Sequence, residues 1–185
     1  MTGLKKLGRG LAAATGLALM LSAAPAAASI ETAEAKAEAS DAAFMARLHM
    51  EEVFGEKRPK AGQYLWRKGS FEGEPRLVVG LADQLAYLYR GEALVAVAAI
   101  STGVEKHPTP KGIFWVLLKK PMHRSIKYEN APMPFMQMFD KYGTALHAGH
   151  NPGYPASHGC VRLPSEFAKR LYAITDVGAT VMIGA

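Results

Sequence analysis

Between Leu77 and Leu118 the chain runs through a series of apolar segments, each cut short by turn formers. Leu77 to Leu81 is apolar, Ala82-Asp83-Gln84 supplies a turn, and Leu85 to Arg90 follows with aromatic residues favoured in sheets. Gly91-Glu92 separates this from Ala93 to Ser101, rich in Val, Ala and Ile. A Gly- and Pro-containing loop (residues 103–112) then leads into Ile113 to Leu118. One clear helix comes later, where Phe167, Leu171 and Ile174 recur at i, i+4 and i+7. Ser165 stands at its N-cap position and Gly178 lies just past its end. Thr180 to Ile183 closes as a strand. Short strands at close spacing with one or two helices predict a mostly-β sandwich or distorted barrel.

With 185 residues there is room for one such domain, expected over residues 61–185. Residues 29–60 are rich in Ala and Glu and read as a tether or helix. Phe44, Met45, Leu48 and Val53 offer a weak stripe that could pack onto the domain, before Gly55 and residues 57–62 break it. Ahead of these, Lys5, Lys6 and Arg9 precede an apolar stretch from Leu11 to Leu21. Ala26-Ala27-Ala28 then offers a small-residue cleavage site. Residues 1–28 therefore read as a signal peptide, its apolar stretch too short to cross a bilayer, so the mature chain is expected in the periplasm or cell envelope without a stable membrane span.

Export gives the cysteine count its meaning. The chain has one Cys, so no internal disulfide can form in a compartment where thiols tend to be paired. The formal net charge is +6, and loss of the signal would leave 19 basic against 16 acidic residues. The basic residues are scattered, without the stripe of a nucleic-acid binder, so an anionic envelope polymer is the expected partner and nucleic acid is not.

Cys160 lies in LHAGHNPGYPASHGCVRLP, residues 146–164, which also holds His147, His150 and His158. Its many Gly and Pro residues make it loop backbone, where catalytic groups usually sit. In one reading Cys160 is a nucleophile, His147 takes its proton and His158 supports it. Gly159 would let nearby N–H groups face an oxyanion, and Arg162 would bind a carboxylate or pair with Glu166. In a second reading His147, His150, His158 and Cys160 hold zinc, although the spacing of familiar zinc sites is missing. In a third, the loop belongs to a non-catalytic cell-wall binding module.

Ser157-His158-Gly159-Cys160-Val161-Arg162, preceded by His147-Ala148 and a loop, resembles the hallmark of the L,D-transpeptidase catalytic domain (YkuD-like) family. That hallmark is a His and a small residue, a variable loop, then Ser/Thr-His/Lys-Gly-Cys-Ile/Val-Arg. Thr109-Pro110-Lys111-Gly112 is similar to the family's Thr-Pro-x-Gly before a strand, and the likeness covers about residues 70–185. The resemblance implies a β-sandwich-like enzyme with Cys160 as nucleophile and His147 as acid/base, the latter oriented by the carbonyl of Ala148. Ser157, His158, Gly159 and Arg162 would line the pocket. It further implies transfer of a peptidoglycan stem peptide through a Cys160 thioester, with release of D-Ala and no metal or organic cofactor. A hydrolytic cysteine peptidase or amidase of the same fold is the alternative. Two departures stand out: Ala148 replaces the usual Gly, and the nine-residue loop after His147 is short and carries His150.

Overall fold

The computed structural model describes residues 29–185; the expected signal segment, residues 1–28, lies outside the described residues. Among the described residues the chain forms two sheets and two helices, with no closed barrel. The larger sheet contains β1 (Ser29–Ile30), β2 (Tyr64–Trp66), β3 (Pro75–Gly80), β4 (Leu85–Arg90), β5 (Ala93–Ala99), β6 (Gly112–Trp115) and β11 (Thr180–Gly184). Their order across the sheet is β1-β6-β11-β3-β4-β5-β2. The last strand is inserted at its centre, antiparallel to β6 and parallel to β3. The smaller sheet holds β7 (Leu118–Arg124), β8 (Pro132–Met138), β9 (Ala145–Ala148) and β10 (Val161–Leu163), in the order β10-β9-β8-β7.

Strand β4 shows why its sequence lacks an alternating pattern. Leu85, Tyr87 and Tyr89 join a core on one face of the large sheet, while Ala86 and Leu88 join a second core on the other. A strand buried on both faces reads as a continuous apolar run. The second core also takes in Phe114, Phe139, Leu146, Phe167 and Leu171, and so lies between the two sheets and helix α2 (Ser165–Ile174). Pro164, not Ser165, occupies the N-cap of α2, and no side-chain hydrogen bond caps it there. Gly178 lies in the turn beyond the helix, at φ +95°.

Helix α1 (Ala33–Phe54) covers the outer face of the large sheet. Thr32 caps it by accepting a hydrogen bond from the Ala35 N–H. Its buried face is Ala35, Ala39, Ala43, Ala46 and Met50, whereas Phe44, Met45, Leu48 and Val53 point outward. The apolar stripe expected from the large side chains is therefore not the packed face. Close approach explains the choice: a Cβ on Gly184 of β11 would stand 2.5 Å from Ser40 Cα, with the Ala39 carbonyl closer still. Only small side chains let a helix lie that near a strand.

Candidate active site

Strands β9 and β10 run parallel, with His147 opposite Arg162, and Cys160 stands just ahead of β10. Because side chains alternate along a strand, residues 160 and 162 share a face, and His147 is the neighbour of Arg162 on it. His147, Cys160 and Arg162 accordingly line one cleft of 430 Å³, together with Ser157 and His158. The opposite wall is the turn of the β7–β8 hairpin, residues 125–131. His150 is exposed and lies outside this cleft, against a neighbouring cavity that shares His147 and Arg162 with it.

His147 is buried, and its Nδ1–H donates to the carbonyl of Ala148 at 2.8 Å. A carbonyl can only accept, so the proton sits on Nδ1 and the Nε2 lone pair is free. Burial holds the His147 pKa below its ordinary value; the Ala148 carbonyl opposes this and Arg162 adds to it. Burial pushes the Cys160 thiol in the other direction, upward, with Asp140 adding to the rise while the Ala145 backbone and Arg162 oppose it. Burial thus disfavours the charged form of both groups.

The turn before the nucleophile is tightly tied. Ser157 is buried; its Oγ donates to the Cys160 carbonyl and accepts from the Gly159 N–H at 3.1 Å. Gly159 sits at φ +112°, a conformation glycine adopts without strain. The Gly159 N–H is thus already engaged. The Cys160 N–H has no acceptor among the described residues.

His158 is exposed and stacks on Tyr128 of the hairpin turn, with ring centroids 4.4 Å apart and 20° between planes. The His107 ring packs against His158 as well, tilted by 51° with centroids 5.1 Å apart. His158 therefore joins the two walls of the cleft. Arg162 forms no ion pair with Glu166: the ion pairs found among the described residues join Arg47 and Arg58 to Asp83. Among the described residues no group of three or more His, Cys, Asp or Glu side chains is placed to hold a metal ion.

Three contributors were not singled out as site residues. Thr109 ties the Gly159 carbonyl, and its Thr-Pro-Lys-Gly context was the available signal. Asn151 is buried, accepts from Ser101 Oγ at 3.0 Å and donates to the Ala99 carbonyl, fastening the loop after His147 to β5. Asp140 shapes the turn into β9 by accepting from the N–H groups of Tyr142 (2.8 Å) and Thr144 (2.7 Å).

A lone thiol and a carbonyl-oriented imidazole line the same cleft on a mostly-β scaffold. The model of the L,D-transpeptidase catalytic domain matches residues 74–183, more than half the chain, and the chain belongs to that family of enzymes. Solved structures agree in fold. An L,D-transpeptidase from Mycobacterium smegmatis aligns with a TM-score of 0.57 at 20% identity, over 60% of this chain and 59% of its own. One from Stackebrandtia nassauensis aligns with a TM-score of 0.56 at 23% identity, over 75% and 65%. L,D-transpeptidase 3 from Mycobacterium tuberculosis, in complex with a faropenem-derived adduct, aligns with a TM-score of 0.56 at 18% identity, over 60% of each chain. The chain thus spans about three-fifths of the length of these proteins. No curated protein matches it.

Proposed function

We propose that this chain is an exported L,D-transpeptidase that joins peptidoglycan stem peptides through a thioester on Cys160. The observation that carries the reading is the His147 tautomer: with Nδ1–H held by Ala148, the free Nε2 serves the cleft that holds the only thiol. As Sγ attacks the carbonyl between the third residue and the terminal D-Ala, its proton passes to Nε2. The oxyanion forms against the Cys160 N–H. Collapse breaks the C–N bond, His147 returns the proton to the leaving nitrogen, and D-Ala departs. An amine of a second stem then attacks the thioester, gives its proton to Nε2, and the sulfur leaves to recover that proton.

Charge supports an anionic donor. The cleft is lined by Lys127 and Arg162 and by no carboxylate. Arg162 has no acidic partner among the described residues, and lies close enough to both reacting groups to shift their pKa values. A donor carboxylate paired with Arg162 would form a charge-assisted bond worth roughly 1.5–3 kcal/mol. Ser157 and Gly159 shape the nucleophile turn and His158 fastens the hairpin over it. No helix of the described residues is long and apolar enough to cross a membrane, which suits a domain released after the signal.

Incubation with a disaccharide-tetrapeptide tests this. The expected products are free D-Ala and a cross-linked dimer, both lost in Cys160→Ala and His147→Ala. Tripeptide without dimer would make the enzyme a hydrolase, and no D-Ala at all would refute the reading.

A further inference from the structure

We infer that Thr109 is a positioning residue that aims the Cys160 N–H at the oxyanion. The inference rests on the acyl-transfer reading of the cleft. Thr109 is buried, and its Oγ1 accepts from the Gly103 N–H at 2.8 Å and donates to the Gly159 carbonyl at 2.8 Å. The direction of both bonds is fixed, because an amide N–H can only donate and a carbonyl can only accept. The Gly159 carbonyl and the Cys160 N–H belong to one planar trans peptide and point in opposite directions. Holding the oxygen toward buried Thr109 therefore points the N–H away from it.

That peptide needs an anchor. Gly159, on its N-terminal side, has no Cβ to resist rotation of the peptide plane. The neighbouring N–H cannot substitute, since Ser157 Oγ already takes it. The anchor itself is held by a close crossing of loops: a Cβ on Gly103 would lie 2.7 Å from Thr109 N and 2.9 Å from Gly159 Cα. The Val104 N–H donates to the Ser157 carbonyl at 3.0 Å, and the Thr102 carbonyl accepts from the Ala156 and Ser157 N–H groups. The segment from Thr102 to Thr109 thus acts as a splint for the nucleophile turn, with the Thr109 hydroxyl at its point of contact with the reacting peptide.

The test compares two reactions of the same thiol. Acylation by a penem such as faropenem passes through an oxyanion; alkylation by iodoacetamide, a displacement at saturated carbon, does not. Thr109→Val should slow acylation by about 10- to 100-fold, a fraction of the loss seen when an oxyanion donor is removed outright. Alkylation should stay within about twofold, and Thr109→Ser should restore acylation because it keeps the hydroxyl. With the stem peptide, the loss should fall on kcat rather than KM. Should Thr109→Val not fold, Thr109→Ala is read in the same way. Unchanged acylation in the variant, or an equal fall in both reactions, would overturn the role of Thr109. No acylation of the wild type would instead overturn the acyl-transfer reading beneath it.

Discussion

Gly103→Ala adds one methyl group at the place where the splinting loop crosses the nucleophile turn. The new Cβ would stand 2.7 Å from Thr109 N and 2.9 Å from Gly159 Cα, with the His107 carbonyl closer still. All are backbone atoms, so no side chain can rotate aside to relieve the overlap. Overpacking with a rigid surround costs about 1–3 kcal/mol, occasionally more, and this site belongs at the upper end. For a domain of this size about 3 kcal/mol corresponds to a Tm lowered by about 6–12 °C. Gly149→Ala is the matched control at the same cleft. Its Cβ would approach His147 Cε1 at 3.3 Å and Arg162 Cγ and Cδ at 3.5 Å, side-chain contacts that can yield by tenths of an ångström. Thermal unfolding followed by circular dichroism should show the large drop for Gly103→Ala and less than about 3 °C for Gly149→Ala. A Tm for Gly103→Ala within about 2 °C of wild type would refute the packing described here.

The acid limb of kcat/KM against pH should lie below 6.5, the ordinary imidazole value, because burial keeps His147 neutral as the base the reaction needs. The same depressed pKa makes the unfolded state bind the proton first, so the His147 contribution to stability is lost as pH falls from 6.5 through the folded-state pKa. An acid limb above 6.5 would contradict both statements. On α1, Ala43→Glu should cost at least about 3 kcal/mol in urea unfolding by placing a carboxylate in the core beneath the helix, whereas Phe44→Glu on the outward face should cost under about 1 kcal/mol. Tyr128→Ala removes a stack worth about 0.5–1.5 kcal/mol, and amide exchange over residues 125–131 should quicken, while Tyr128→Phe should leave it unchanged.

The central strands were legible because they are buried on both faces: the apolar runs at Leu77, Leu85 and Ala93 became β3, β4 and β5. The β7–β8 hairpin was not. Its first strand carries Lys119, Lys120, Pro121 and Arg124 at mostly exposed positions, so it has neither alternation nor an apolar run. Helix α1 misled for the opposite reason. Its packed face is made of alanines, which carry little hydrophobic signal, while its larger apolar side chains face outward. At the site, residue type and spacing pointed to His147, His158, Cys160 and Arg162, the family resemblance added Ser157, and all five line one cleft. Thr109 was visible only as part of a motif, since its contact with Gly159 spans fifty residues of chain. The stack of Tyr128 on His158 depends on a hairpin that the sequence pattern did not reveal.

The central claim is that Cys160, deprotonated by His147 during attack, forms the acyl-enzyme. Intact mass after brief exposure to faropenem, followed by peptide mapping, tests it most directly. One adduct per chain on Cys160 is predicted, absent from Cys160→Ala and formed far more slowly by His147→Ala. An adduct elsewhere, or equal labelling of the His147→Ala protein, would contradict it.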